Sequence, residues 1–426
     1  MTEEFLHYIW KHALYDSSSL KTENEEEVTV LRHGDQNYDS GPDFLNARLR
    51  IGDTTWAGNV EIHIKSSDWL KHRHQHNKAY NNVILQAVYH YDTKISLQNG
   101  NQVPTVELKF ENHLYENYQN LVNSSNGIPC QDQLNAFDSL KMSHILTMLT
   151  VERLREKSAE IAHTLNLTKN DWSETFYIHL AKNFGFKINA VPFEMLARSL
   201  PLKYIEKHKD NLLQIEALLF GQAGFLNDKY DDAYYNSILT EYRLLKSKFS
   251  LKPLDKHIWK FLRLRPCNFP TIRLAQFARL LHGSSFLFRK IIQAQDLRQL
   301  KNHFNISASE YWEKHYHFGK ESESEIKKSL GLISFNNVVI NTVVPVMFVY
   351  GEQNGKKNLR EKAIDYLTEL PAEDNHIIRN WSKTGFSPKN AFETQGLLQL
   401  RNNYCKRRKC LNCRIGKPII INKGQK

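Results

Sequence analysis

The sequence predicts an α+β protein with three parts: an N-terminal module on a mainly antiparallel sheet, a large helical region and a C-terminal cysteine knuckle. Three observations predict it. Apolar residues alternate with period two in short runs up to about residue 115, and beyond Cys130 they recur at helical spacing. The charge changes sign along the chain, with 11 Lys/Arg against 19 Asp/Glu in residues 1–139 and 46 against 27 in the remainder. Three of the five cysteines lie within residues 405–413.

The first helix is expected over residues 3–14, where Phe5, Leu6, Ile9, Trp10 and Ala13 share one face. A polar, acidic stretch follows over 17–27. Strands are expected over 28–31, 44–51, 54–65, 83–91 and 103–110, with Gly52-Asp53 as a turn and 67–80 helical or looped. Helices are then predicted over 140–165, 172–183, 192–200, 212–220, 234–249 and 273–282, most opening near Ser, Asp, Asn or Pro and stopping near Gly or Pro. The resulting parts are an α+β module over 1–125, a helical scaffold over 126–395 and a basic tail over 396–426. No internal repeat is evident.

Composition narrows the class. Apolar residues make up 41% of the 426, with 22 Phe, 19 Tyr and 7 Trp, which is unlike a disordered chain. Eighteen Gly and 12 Pro are too few for a collagen-like or linker-dominated chain. The longest apolar stretch, 330–350, carries Asn336, Asn337, Asn341 and Pro345. Amides are expensive at bilayer depth, so a buried core segment is expected and no membrane association. Nothing at the start reads as a secretory signal. Five clustered cysteines do not form a disulfide framework, and a reduced, cytoplasmic setting is expected. The acidic module joined to a basic body suggests a metal-binding or catalytic head with a remainder that binds a polyanion such as nucleic acid.

The chemistry concentrates in Gly41-Pro42-Asp43-Phe44 and Asn59-Val60-Glu61-Ile62-His63-Ile64-Lys65. Alternate residues of a strand share a face, so Val60, Ile62 and Ile64 are expected in the core. Glu61, His63 and Lys65 then form a polar row facing water or a ligand. If the two strands pair, the Asp43 carboxylate reaches that of Glu61, and two close carboxylates repel unless a cation lies between them. The pattern resembles the PD-(D/E)XK nuclease superfamily, whose signature is Pro-Asp followed after ten to thirty residues by Asp/Glu-x-Lys. The resemblance implies that Asp43 and Glu61 hold a divalent Mg or Mn ion and that a lysine positions or activates the attacking water. Here His63 occupies the lysine position, with Lys65 two residues on. Lys65 reaches forward in its place, or His63 is itself a ligand or base, or the fold persists without nuclease activity. Members often place a glutamate of the first helix near the metal, which points to Glu3 or Glu4.

Just downstream, His72, His74 and His76 alternate after Ser66-Ser67-Asp68-Trp69. Imidazoles at i and i+2 of an extended segment can bind one metal, and His72 or His74 beside Asp43, Glu61 and His63 makes a mixed N/O centre. Such a centre suits Mn, Fe or Zn better than Mg. The alternative is a solvated, histidine-rich helix start.

Cys405, Cys410 and Cys413 can converge on one tetrahedral centre, which requires a fourth ligand. Cys130 is the favoured fourth, with Cys267 or a histidine as alternatives. Zinc or an iron–sulfur cluster is the expected occupant, and Lys406, Arg407, Arg408, Lys409 and Arg414 between the cysteines would face phosphates. A second basic run, Arg263-Leu264-Arg265-Pro266 with Arg273, lines a groove or is an ordinary helix-boundary cluster.

The chain as a whole resembles a bacterial family recorded as a domain of unknown function. The matching blocks are Glu3 to Trp10, Gly41 to Phe44, Gly58 to His63, Ser67-Asp68-Trp69, Gly221-Gln222-Ala223-Gly224, Arg263 to Pro266 and Cys410 to Gly416. Where that family tends to have Asp at 77 and His at 86, this chain has Asn77 and Gln86. The leading expectation is a divalent-metal-dependent nucleic-acid phosphodiesterase with His63 or Lys65 as the catalytic group. The alternative is a non-catalytic nucleic-acid-binding or assembly protein with a structural zinc knuckle. Hydrolysis of a small substrate is a third reading and calls for a deep, enclosed pocket.

Overall fold

The computed structural model describes residues 1–283 and 286–423. The chain is α+β and divides into two compact units, Met1–Asp138 with Leu400–Lys426, and Ser139–Gln399. The basic tail thus belongs to the same unit as the N-terminal sheet.

The N-terminal unit opens with α1 (Glu3–Lys11), capped by the Thr2 hydroxyl, which accepts from the Phe5 N–H. The helix ends three residues short of the predicted boundary, where Ala13 takes a left-handed conformation. It buries Phe5, Leu6, Tyr8, Ile9 and Trp10, and the Trp10 indole donates to the His33 carbonyl at 3.0 Å. Strands β1 (Val28–Arg32), β2 (Asp35–Gln36), β3 (Phe44–Ile51), β4 (Thr54–Lys65), β5 (Val83–His90) and β6 (Thr105–Glu107) form one sheet of order β1-β3-β4-β5-β6, with β2 also paired to β3.

The sheet is mixed, which corrects the expectation of a mainly antiparallel one. β1, β3 and β4 are antiparallel neighbours, whereas β5 runs parallel to β4 and β6 parallel to β5. The β3–β4 link is the two-residue turn Gly52-Asp53, which forces a hairpin, but seventeen residues separate β4 from β5, and that length allows a crossover. Val83, Leu85, Gln86, Ala87 and Val88 are all buried, the pattern of an interior strand covered on both faces. The last predicted strand shrinks to Thr105–Glu107. β3 carries a bulge between Phe44 and Ala47, with Asn46 left-handed (φ 59°), and this bulge sets which residues of β3 and β4 meet.

Past α2 (Asp68–Lys71) and α3 (Asn112–Val122) the second unit is mainly helical: α4 (Ser139–Leu167), α5 (Trp172–Phe184), α6 (Ala190–Ser199), α7 (Leu202–Glu206), α8 (Leu212–Gln222), α9 (Ala233–Phe249) and α10 (Pro270–His282), with further helices and one short antiparallel strand pair (His315–His317 with Lys320–Glu321) beyond. Most predicted helices match to within a few residues. α8 is apolar all round and accordingly buried from Ile215 to Gln222.

The apolar stretch near 330–350 forms helix Leu332–Val338, one wide π turn (Val339–Val343) and helix Val344–Gln353, and most of it is buried in its unit. Pro345 explains the wide turn. It has no N–H to give the Asn341 carbonyl four residues back, so the regular ladder breaks there. The Asn183 side chain donates to that carbonyl at 3.2 Å, and the Lys157 ammonium donates to the Asn341 side-chain oxygen at 2.9 Å. Asn341, one of the amides that argued against a bilayer, is thus partnered inside the protein.

Gly221 on α8 touches the ring of Tyr242 on α9: a Cβ there would lie 2.2 Å from the ring, whose hydroxyl is held by Gln222. Gly→Ala inside a helix ordinarily stabilises by about 0.5–1 kcal/mol. Here the clash outweighs that gain. Gly221→Ala is expected to destabilise by ~1–3 kcal/mol net, read as a lower urea midpoint at unchanged slope.

Candidate metal centre

The bulge in β3 places Asp43 directly beside Glu61. The Asp43 N–H donates to Glu61 Oε2 at 3.1 Å, and the Ile62 N–H donates to Asp43 Oδ2 at 2.9 Å. The two carboxylates expected to meet across the strands do so, each bonded to the backbone beside the other.

The rest of the polar row differs from expectation. Val60 and Ile62 are buried as predicted, but Glu61 (4% exposed) and His63 (1% exposed) are buried as well. This face of β4 is covered by α1 and the segment that follows the strand. Lys65, at the end of β4, is exposed and lies in the field of Asp92. Of the two groups expected to be catalytic, His63 thus lies beside Glu61 and Lys65 stands at the solvent-exposed end of the strand.

The histidine segment is held by a small network. Ser66 and Ser67 hydroxyls and the Ser67 N–H donate to the Asp92 carboxylate at 2.8 Å, while the Asp92 and Thr93 N–H groups donate to Ser66 Oγ at 2.9 Å. The chain then turns through α2 and a left-handed Arg73 (φ 61°) into a single 3₁₀ turn. The segment is therefore not extended, as the i, i+2 spacing suggested. The left-handed residue between His72 and His74 is what turns both rings toward His63. His76 stands outside the group.

The three imidazoles converge. Ligand-capable nitrogens of His63, His72 and His74 all lie within 4.8 Å of one another. His63 Nε2 is 3.2 Å from His72 Nδ1, and Glu61 Oε1 is 3.3 Å from His74 Nε2 and 3.6 Å from His63 Nε2. His74 stacks on Tyr80 with ring centroids 3.8 Å apart and meets the edge of buried Trp69, which fixes its plane. His63 and His74 are buried, while His72 is exposed and opens the cluster to solvent.

Three further residues complete the site. Glu3 and His7, one turn apart on α1, share a face. His7 Nε2 lies 3.2 Å from Asp43 Oδ2, and the Glu3 carboxylate lies in the field of His72 and Asp43. Glu4 instead lies near Cys410, so Glu3 is the helix carboxylate that faces the site. Buried Gln86, opposite Glu61 on β5, donates to His63 Nδ1 at 2.9 Å and to the Ser66 carbonyl at 3.3 Å, and accepts from the Thr105 hydroxyl at 3.3 Å. The helical spacing of Glu3 and His7 was a readable signal. For Gln86 the sequence offered only the family's tendency to histidine at that position, and the parallel pairing is what brings it beside Glu61.

Charge in this pocket is poorly compensated. Burial, and then the Asp43 charge, raise the Glu61 carboxyl far above its ordinary value. Burial, and then the neighbouring His74 and His72, push His63 down to about 3. Burial also lowers His74. For His7 burial acts downward, but its bond to Asp43 and that carboxylate's charge outweigh it and raise the imidazole. His74 Nε2 is buried without a hydrogen-bond partner. Neutral imidazoles facing a buried carboxylate, one of them with an unused nitrogen, fit a divalent cation of the Mn, Fe or Zn type. The ligands would be Glu61, His63, His72 and His74, with Asp43 adjoining.

Elsewhere, Cys130, Cys405, Cys410 and Cys413 are all buried in the N-terminal unit, and exposed Cys267 lies in the other. Of the second basic run, Arg265 and Arg273 line a groove with Phe186 and Leu264. Arg273 is itself buried, hydrogen-bonded to Gln276, Asn268 and Ser334.

The Glu61 shift has a sign that can be measured. Unfolded glutamate ionises near ~4.3 and folded Glu61 higher, so between those values the folded chain holds the extra proton. Stability therefore falls as pH rises through that window. In chelator-treated protein, Glu61→Gln is expected to flatten this slope and to exceed the parent's stability at about pH 8, with the difference closing near pH 4, as followed by urea unfolding. Gln86→Leu, which removes the partner orienting His63, is expected to weaken metal binding about 10–100-fold by competition titration.

No curated protein and no solved structure matches the chain significantly. A family model described as "Protein of unknown function (DUF2851)" matches residues 3–376, spanning both the carboxylate–histidine cluster and most of the helical unit. The chain belongs to that family.

Proposed function

We propose that the N-terminal unit is a divalent-metal-dependent hydrolase acting on phosphodiester bonds of nucleic acid. The observation that carries this reading is the convergence of Asp43, Glu61, His63, His72 and His74 in one buried cluster. The +19 balance of residues 140–426 supports a polyanionic substrate.

Glu61, His63, His72 and His74 would hold the cation, which supplies Lewis acidity toward a phosphoryl oxygen and offsets phosphate charge. The remaining steps belong to the chain. Asp43 fixes the Glu61 carboxylate through the two carboxylate–backbone bonds, and its charge beside His7 favours the imidazolium form. His7 can then donate that proton to a departing oxygen. In the present bonding Gln86 donates to His63 Nδ1, which leaves the proton of neutral His63 on Nε2. Rotating the Gln86 amide so that its oxygen faces Nδ1 moves the proton there and frees the Nε2 lone pair, at the cost of the Gln86 bond to the Ser66 carbonyl. The Thr105 hydroxyl can donate or accept, and so accommodates either orientation. Solvent-exposed His72 marks the side from which substrate arrives.

A non-catalytic nucleic-acid-binding or assembly role is the competing reading, favoured by the buried cysteines. The two separate in one assay, in which the purified protein is incubated with single- and double-stranded DNA and RNA in Mn²⁺ or Mg²⁺. Cleavage is expected that falls at least about a hundredfold in Glu61→Ala and is unchanged in Glu107→Ala, whose carboxylate accepts from the Tyr91 N–H outside the cluster. Cleavage equal in both variants, or none from metal-loaded protein, refutes the catalytic reading.

A further inference from the structure

We propose that Cys130, Cys405, Cys410 and Cys413 form a four-thiolate metal centre, taking zinc or an iron–sulfur cluster, that closes the C-terminal segment onto the N-terminal unit. This site is separate from the carboxylate–histidine cluster and independent of its activity.

Four of the five cysteines come from opposite ends of the chain into one unit, and each is 6–7% exposed. None is in a disulfide. They are mutual neighbours: the Cys405, Cys413 and Cys410 sulfurs all oppose ionisation of Cys130. Cys405 likewise lies in the field of Cys413 and Cys410, and Cys410 in that of Cys413. A soft cation takes all four as thiolates with release of their protons.

The backbone is arranged to bring them together. Arg408 donates through Nη2 to the Ser124 carbonyl at 2.5 Å and to the Asn126 carbonyl at 3.4 Å, docking the tail on the segment that leads to Cys130. Asn117 of α3 donates to the carbonyls of Ile419 (3.2 Å), Ile420 (3.2 Å) and Asn422 (2.9 Å), which fixes the end of helix Gly416–Ile421. A Cβ on Gly416 would lie 2.4 Å from the Cys410 carbonyl, so the knuckle closes only with glycine there. Arg408 is itself left-handed (φ 52°), a conformation that persists in a non-glycine residue only when its surroundings enforce it. Against this ordering the segment buries few large apolar side chains, chiefly Leu411, Ile415 and Ile420. So small a core rarely holds its own fold and is usually stapled by disulfides or metal. The spacing agrees: C-x₄-C-x₂-C is that of plant-type ferredoxin clusters, and C-x₂-C is common in zinc knuckles.

The test is metal analysis of the full-length protein purified without oxygen and without added metal. Stoichiometric zinc, or iron with matching acid-labile sulfide and visible absorption, is expected in the parent and in Glu61→Ala, where the other cluster is crippled. In the Glu61→Ala background, Cys410→Ser is expected to lose at least about tenfold of it, and Cys267→Ser none. Thiol titration of native parent protein should show Cys267 reacting quickly and four thiols appearing only after chelator or acid. Should Cys410→Ser fail to fold, the parent's metal content and thiol protection decide alone. Folded parent protein with neither metal nor cluster overturns the proposal. So does metal that survives in the folded Glu61→Ala/Cys410→Ser double variant or vanishes in Glu61→Ala.

Discussion

The N-terminal unit is organised around two acids that fold toward each other. Asp43 and Glu61 each accept a hydrogen bond from the backbone beside the other, so the start of β3 is locked to the middle of β4 at the bulge. Buried like charges repel strongly at short range, and the backbone N–H groups offset only part of that. The surroundings answer with imidazoles instead of lysine or arginine: His7 at Asp43, and His63 and His74 at Glu61. Imidazoles can stay neutral in a buried site, and neutral imidazole is also the form that ligates a metal.

The positions of those imidazoles depend on residues with no chemical role. Asp92 collects three hydrogen bonds from Ser66 and Ser67 and so sets where the chain leaves β4. Arg73 supplies the left-handed turn, and Tyr80 and Trp69 hold the plane of His74. Gln86 selects the tautomer of His63 through a pairing that exists only because β5 runs parallel to β4. A cluster drawn from α1, the strands β4 and β5 and the segment between them is thereby held by ordinary turn and sheet physics.

The same logic operates at the other end of the chain. A tail with nine basic residues and no acid in 401–426 would be expected to remain solvated. It docks instead, because Arg408 and Asn117 satisfy main-chain carbonyls and the cysteines between the basic residues are buried. In the helical unit, Pro345 opens a π turn whose freed carbonyl is taken by Asn183. In both places a local irregularity is paired with one polar side chain that completes its hydrogen bonding.

Local periodicity alone determined the positions of β1, β3, β4 and β5, of most helices, and the nearness of Asp43 to Glu61, because strand and helix spacing act over a few residues. It also singled out His63, His72, His74 and the four cysteines by residue type. What only the tertiary structure decided is direction and burial. The crossover made β5 parallel, the bulge aligned Asp43 with Glu61, and the covering of the polar face of β4 turned an expected wet row into a buried one. It excluded Lys65 and added His7 and Gln86. Those outcomes depend on which distant segments pack together, and an alternating pattern reads the same whether its polar face meets water or another part of the fold.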